Sequence, residues 1–252
     1  MAEDIFPVGE PERLGLGALK IFQAPTIFKF TIDPLLLAAF LQVRPQDTVL
    51  DLGTGTGVIP LWLTGYRHVR QVVGLELQSP IVALARRNVT LNQLNDRITI
   101  LEGDLRAPPP ELATRRFDWV ISNPPYWSPA THQVPTSPLL AVAKFELTCN
   151  LSEVITAAAR LCRDRGRVGL IHLPERLTDL LSLMRAARLE PKRLCLVHPK
   201  PGTPPHRVLV EGMKGGRPGL KVCKPFFIHG PDGEFTPEMN AVYQGRGLSE
   251  EL

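Results

Sequence analysis

The stretch Val49-Leu50-Asp51-Leu52-Gly53-Thr54-Gly55-Thr56-Gly57 constrains this chain more than any other. An apolar run ends in an acid and three glycines at alternate positions, and Val58-Ile59-Pro60-Leu61 follows at once as the start of an apolar helix. Glycines let the backbone turn tightly and approach a ligand where a Cβ would collide. A strand feeding a helix through such a loop belongs to an open α/β sheet, which takes its ligands at the carboxyl ends of its strands. The spacing restricts the ligand. A dinucleotide fingerprint needs Gly-x-Gly-x-x-Gly, yet counted from Gly53 the last position is Val58, and from Gly55 it is Pro60. A phosphate-cradling P-loop needs Gly-Lys before Ser or Thr, and the chain has no Gly-Lys pair.

From residue 47 onward, short apolar runs alternate with amphipathic segments, the pattern of a parallel sheet covered on both faces. The runs are 48–52, 72–75, 98–101, 119–122, 168–173, 194–197 and 208–210, seven strands in all. Residues 80–94 read as a helix with Ser79 as N-cap and Pro80 at its first position. Residues 151–162, capped by Asn150 and stopped near Gly166, read as a second, and 175–189 as a third. The last two strands are joined by His-Pro-Lys-Pro-Gly-Thr-Pro-Pro-His-Arg, too short and too rich in proline for a crossover helix, so they must pair antiparallel. Ahead of the sheet, Asp33, Pro34 and the apolar run behind them read as a capped helix lying on it. With 252 residues, 44% of them hydrophobic, one core suffices. The organisation expected is an N-terminal extension over 1–46, a core over 47–213 and a weakly patterned tail over 214–252, free to dock or to reach outward.

Three acids stand at successive strand ends. Asp51 opens the glycine loop, Glu76 closes the second strand and Asp104 follows the third in Glu102-Gly103-Asp104. An acid about 20 residues beyond a glycine loop is placed to accept hydrogen bonds from ribose hydroxyls, which suits Glu76. After the fourth strand comes Asn123-Pro124-Pro125-Tyr126. A planar NH₂ group, on a base or a carboxamide, is a poor nucleophile because its lone pair is delocalised. The Asn123 side-chain oxygen and the Pro124 carbonyl can each accept one of its N–H bonds and pull the nitrogen toward tetrahedral geometry. The prolines, with fixed φ and no N–H of their own, hold that carbonyl outward. Tyr126 offers a face for stacking.

Asp-x-Gly-x-Gly-x-Gly resembles the first motif of class I S-adenosylmethionine methyltransferases. The resemblance implies a Rossmann-like α/β fold with a mostly parallel seven-stranded sheet, a C-terminal antiparallel hairpin and helices on both faces. It also implies S-adenosylmethionine as cofactor, S-adenosylhomocysteine as product and no metal. The cofactor would be held by Asp51, Gly53, Gly55, Gly57, Glu76, Asp104 and Asn123, with Asp51 near the amino end of the methionine and Asp104 on the adenine amine. Catalysis would fall to Asn123, Pro124 and Tyr126. Over roughly residues 14–243 the chain is similar to the bacterial tRNA adenine-N6-methyltransferases that modify the adenine 3′ of the anticodon of valine tRNA. Gln23, Phe28-Lys29-Phe30-Thr31-Ile32-Asp33, the glycine loop, Asn-Pro-Pro-Tyr, Ile228-His229-Gly230-Pro231-Asp232-Gly233, Thr236 and Glu238 carry that likeness. Where the family has Ala-Arg-His-Glu, this chain has Ala143-Lys144-Phe145-Glu146.

Two further acceptors share the motifs: a glutamine amide in a peptide release factor, and a base amine in ribosomal RNA. The release-factor enzymes carry a helical domain ahead of the glycine loop, and only 50 residues precede Asp51 here. A non-catalytic RNA-binding module on the same fold is the reading from a different class, and decay of the site would be its sign.

The net charge of +4 is uneven. Residues 185–224 hold ten Lys and Arg against Glu190 and Glu211, which suggests a basic face around Arg185, Lys192, Arg193, Lys200 and Arg207 for a tRNA backbone. Cys149, Cys162, Cys195 and Cys223 lack metal or disulfide spacing, and the six histidines are scattered. The first ten residues hold three acids and no apolar stretch, and no run of about 18 apolar residues occurs, so a cytoplasmic protein with no membrane span is expected.

Overall fold

The structure is a computed structural model that describes residues 10–14, 17–23, 31–127, 141 and 147–248. The stretches 28–30 and 143–146, which bear on the family likeness, lie outside the described residues. Two short strands, β1 (Glu12–Arg13) and β2 (Lys20–Ile21), form an antiparallel pair ahead of α1 (Asp33–Phe40). The core then alternates β3 (Thr48–Leu52), α2 (Val58–Tyr66), β4 (Gln71–Glu76), α3 (Ser79–Leu91), β5 (Ile98–Glu102), α4 (Pro110–Ala113) and β6 (Phe117–Ser122). It continues through α5 (Leu151–Leu161), β7 (Cys162–His172), α6 (Leu177–Ala186), β8 (Leu189–His198) and β9 (Arg207–Lys214). Two short strands, β10 (Lys221–Val222) and β11 (Phe226–Phe227), and α7 (Pro237–Tyr243) close the described chain.

The main sheet runs β10-β8-β9-β7-β6-β3-β4-β5, with β11 also on β8. From β5 to β7 all pairs are parallel, and β9 is antiparallel to both β7 and β8. The expected seven strands and their hairpin are present, and β10 and β11 bring the sheet to nine strands among the described residues. The chain steps outward from β3 through β4 to β5, then returns to β6 on the other side of β3. That reversal opens a crevice above the carboxyl ends of β3 and β6, where ligands of such sheets bind.

Both faces are buried. Leu36, Phe40, Leu61, Trp62, Val82, Ala85 and Val242 belong to a cluster under α1, α2, α3 and α7, and Leu112, Val154, Ile155, Leu161, Leu180 and Met184 to another under α4, α5 and α6. α5 shows how sequence becomes structure. Asn150 accepts from the Glu153 backbone N–H at 3.0 Å while Glu153 accepts from the Asn150 N–H at 2.9 Å, a reciprocal cap. Leu151, Val154, Ile155, Ala158 and Leu161 then bury one face at helical spacing.

Several expected boundaries move. α3 starts at Ser79 itself, and the Ser79 hydroxyl donates to Glu102 instead of capping the helix. α5 stops at Leu161 and β7 begins directly at Cys162, well before Gly166. The helix expected over 175–189 is a 3₁₀ turn (Pro174–Arg176) followed by α6, and Arg188 in the left-handed region at φ 60° ends it. β8 therefore starts at Leu189, five residues earlier than its apolar run suggests, because Pro191 breaks the alternation and shifts the register against β9. The chain beyond 214 docks on the core: Phe226, Ile228, Met239 and Val242 are buried, and Trp62 Nε1 donates to the Val242 carbonyl at 3.4 Å.

Candidate active site

The crevice holds a cavity of about 310 Å³, within the roughly 300–1,000 Å³ of small-molecule sites. Its walls include Gly53, Thr54 and Gly55 after β3, Glu76 and Leu77 after β4, Asp104 after β5, and Asn123 to Trp127 after β6. Asp33, Ile81 and Arg207 also line it.

The glycine loop is a cradle. Gly53 and Gly55 take φ of +72° and +56°, and a Cβ on either would meet nothing within 4 Å among the described residues. They therefore present bare backbone to open space. The Gly53 and Thr54 N–H groups donate to the Leu75 carbonyl at 2.9 and 3.0 Å, which pins the loop to β4. Gly57 differs from both. It precedes α2 at φ +84°, with Ala85 of α3 3.7 Å from its would-be Cβ, and it does not line the cavity.

Asp51 lies beneath the loop, not on the cavity wall. Its Oδ2 accepts from the Thr54 hydroxyl at 2.7 Å, and its Oδ1 is buried without a partner among the described residues. Burial pushes its carboxyl up to about 7; the Thr54 hydrogen bond opposes that and the charge of Glu76 adds to it. Glu76 accepts from the backbone N–H groups of Gly55 and Gln78, both at 3.0 Å. Burial raises its carboxyl, and these backbone hydrogen bonds pull the other way. A backbone hydrogen bond from Leu77 joins them, which leaves one of the carboxylate's acceptor positions for a ligand. Asp104 reaches the cavity with its carboxylate gripped by Arg106 through contacts of 2.6–3.0 Å, and the Arg106 hydrogen bond holds it below the usual carboxylate range. Leu77 stays 39% exposed beside Glu76, an apolar platform on the cavity wall.

Asn123, Pro124 and Tyr126 come together opposite the loop. The Tyr126 hydroxyl lies 3.2 Å from Asp33 Oδ2 and bonds to Asn123 Oδ1. Arg207 donates from Nε to the same Asp33 oxygen at 2.8 Å, and its guanidinium carbon lies 4.8 Å from the Tyr126 ring centre. One face of the ring is thus already taken. His172, at the end of β7, packs edge-on against the ring at 5.3 Å. Its Nδ1 accepts from the Leu173 N–H at 2.8 Å, and burial lowers its pKa to about 4, so the imidazole is neutral.

Asp33 and Arg207 were not legible as site residues. Asp33 does not cap α1, which has no side-chain cap; its carboxylate instead closes the cavity wall. Arg207 is no part of a basic surface but sits in the cavity, with a side chain 19% exposed. Arg193 leaves that surface too: it is 11% exposed, lies over Phe40, and donates to the buried Glu211 at 3.0 Å and to the Phe40 carbonyl at 3.2 Å. Of the expected basic face, Arg185 is exposed and pairs with Glu190 at 3.3 Å, Lys192 donates to the Arg217 carbonyl at 3.1 Å, and Lys200 is exposed. Among the described residues no group of acids, histidines and cysteines is arranged to hold a metal, and no helix is long and apolar enough to cross a membrane.

The late stretch 228–238 builds structure. The Thr236 hydroxyl accepts from the Met239 N–H at 3.1 Å to cap α7 and donates to the Phe227 carbonyl at 2.7 Å.

Residues 20–161 match the family model of the methyltransferase small domain. A tRNA1(Val) (adenine(37)-N6)-methyltransferase of Porphyromonas gingivalis is 32% identical over 218 residues, covering 82% of this chain and 83% of that protein. Its namesake from Tolumonas auensis is 28% identical over 216 residues, with 85% and 87% covered. Among solved structures, an Agrobacterium tumefaciens protein described as a predicted O-methyltransferase superposes with a TM-score of 0.70 at 24% identity, covering 86% of this chain and 98% of that one. By the extent of its family match, and by an identity above 30% sustained over most of both chains, this protein belongs to the methyltransferase small-domain family.

Proposed function

We propose that this protein transfers a methyl group from S-adenosylmethionine to the N6 amine of an adenine in tRNA, the adenine 3′ of the anticodon of valine tRNA, in the cytoplasm. The observation that carries the reading is that Asn123 and Pro124 share one cavity with the bare glycine loop and Glu76. Relatives named for this reaction, matched over more than four-fifths of the chain, support it.

The residues present fit the donor. S-adenosylmethionine supplies an electrophilic methyl group. Gly53 to Gly55 offer backbone to its methionine part, the remaining acceptor position of Glu76 takes a ribose hydroxyl, Leu77 and Ile81 give a purine an apolar bed, and Asp104 faces its amine. Asp51, with one oxygen unpartnered, acts from beneath the loop.

On the acceptor side, the Asn123 oxygen and the Pro124 carbonyl take the two N–H bonds of the adenine amine and draw its lone pair out of the ring. The target base must leave its stack to reach them. Rate then comes mainly from holding the two reactants in line. No strong base is required, since the nitrogen becomes acidic once it carries the methyl. Arg185, Lys192 and Lys200 are where this reading places tRNA phosphates.

The test is methyl transfer from labelled S-adenosylmethionine to separate pools of unmodified tRNA, ribosomal RNA and release factor. N6-methyladenosine in tRNA is expected. Label in ribosomal RNA or release factor overturns the substrate, and no label anywhere leaves an RNA-binding module. Asn123→Ala should abolish transfer while tRNA binding persists; equal loss of both refutes the role given to Asn123.

A further inference from the structure

A phenol carries one proton. The Tyr126 oxygen lies 3.2 Å from Asp33 Oδ2 and also against Asn123 Oδ1, and both of these are acceptors, so one hydroxyl cannot serve both. Burial and the neighbouring Asp33 charge raise the Tyr126 pKa well above its ordinary value, so the phenol keeps its proton and has one to give. Asp33 is the better recipient. It is an ion-paired carboxylate, fixed by Arg207 Nε at 2.8 Å, whereas a carboxamide oxygen is a neutral acceptor. The same Arg207 lies over the Tyr126 ring and also hydrogen-bonds the phenol as a donor, so the phenol's own proton is left for an oxygen acceptor.

The conflict disappears if the Asn123 amide turns over. Its oxygen and nitrogen fill nearly the same space, so the hydrogen-bond network alone decides between the two orientations. With the phenol donating to Asp33, Asn123 Nδ2 donates to the phenol oxygen. Asn123 Oδ1 is then released toward the cavity, where an amine needs an acceptor. With the phenol donating to Asn123 instead, Nδ2 faces the cavity and meets an NH₂ group donor to donor.

We propose that Asp33, clamped by Arg207, is a positioning residue that acts through the Tyr126 hydroxyl to fix the Asn123 amide with its oxygen toward the acceptor amine. This rests on the role proposed for Asn123 in binding that amine. Asp33 touches neither reactant in this role. It lies 90 residues before Asn123 in the chain, and Arg207 lies 84 after it, so the amide is oriented from outside its own motif.

A double-mutant cycle tests it. Asp33→Asn and Tyr126→Phe are each expected to lower kcat by roughly 10- to 100-fold, the cost of a misdirected buried hydrogen bond. KM for S-adenosylmethionine should stay within about twofold in both, because the donor's side of the cavity is untouched. Once the phenol is gone Asp33 has nothing to act through, so the double variant should be no worse than Tyr126→Phe alone. Losses that multiply overturn the proposal, since they show two independent roles. Should Asp33→Asn fail to fold, the wild-type protein carries the test by NMR. Contacts between the Asn123 side-chain amide protons and the Tyr126 ring protons beside the hydroxyl are expected, and amide protons turned away from that ring overturn it. Full turnover in Asn123→Ala refutes the underlying reading of the site instead, whatever the cycle gives.

Discussion

Asp51→Asn tests how the ground beneath the glycine loop is built. The wild-type carboxyl is 1% exposed, has one oxygen unpartnered, and titrates near 7 in the folded protein against 3.8 in an open chain. A group whose folded pKa is raised stabilises the fold while protonated, and that contribution is lost as pH rises from the unfolded value through the folded one. The interval from 3.8 to about 7 corresponds to about 4 kcal/mol, at 1.36 kcal/mol per pH unit. Asparagine resembles the protonated acid and never ionises. The stability of Asp51→Asn relative to wild type should therefore rise by roughly 3 kcal/mol between pH 5 and pH 8.5, most of it before pH 7.5. Urea unfolding of both proteins across that range gives the difference directly. Glu76 lies nearby, but its charge is the smallest of the three influences on Asp51, so it alters the size of the effect and not its sign. Two curves that run parallel from pH 5 to pH 8.5 would refute the reasoning, because they would mean that Asp51 is already ionised in the native state at pH 5.

Other substitutions probe separate parts of the structure. His172→Gln should remove an acid-side loss: a buried imidazole with its pKa lowered to about 4 costs the wild type about 2–3 kcal/mol as pH falls from 7.5 to 4.5, and the variant's urea midpoint should lack that fall. Glu211→Gln leaves Arg167 and Arg193 without their buried carboxylate and should cost about 3–5 kcal/mol in chemical denaturation; a change below about 1 kcal/mol would contradict the pairing. Gly55→Ala places a methyl group in open space at φ +56°, so the fold should lose only about 1–2 kcal/mol while S-adenosylmethionine affinity by calorimetry falls at least about tenfold. Arg193→Glu should unfold the protein, whereas Lys200→Glu should leave the melting temperature unchanged and weaken tRNA binding with a shallower salt dependence; intact folding of Arg193→Glu would restore the surface role.

What could be read in the chain followed from how local each signal is. Strand β3, the glycine loop and the strand-end acids are consecutive residues with short-range consequences, and β3 lies where its apolar run placed it. The antiparallel hairpin was legible because four prolines in a ten-residue link exclude any other connection. Gly74 shows a limit: it sits in mid-strand, opposite Asp51, because Thr54 and Ile100 fill the space a Cβ would need, which no local pattern announces. Charge misled most. Arg193 and Arg207 look like surface cations in a basic stretch, yet alternate positions of a strand face opposite ways, and each meets its acid, Glu211 or Asp33, only through tertiary pairing. Leu77 had a local sign, an apolar residue directly after the strand-end acid, which could have been noticed.

The place of β9 in the sheet sets a timetable for the chain as it is made. Strand β8 leaves the ribosome first, but its neighbour in the sheet is β9, which also covers the outer edge of β7. Until residue 214 has emerged, β7 therefore waits with one edge unpaired and β8 has no partner in the sheet, the kind of exposed strand on which nascent chains misassociate. The same late strand brings Glu211 to Arg167 and Arg193, and Arg207 to Asp33. The antiparallel hairpin and the acceptor wall of the cavity are thus finished in one event, before β10 and β11 join the outer edge of β8, and no shorter product of interrupted synthesis can hold an assembled site.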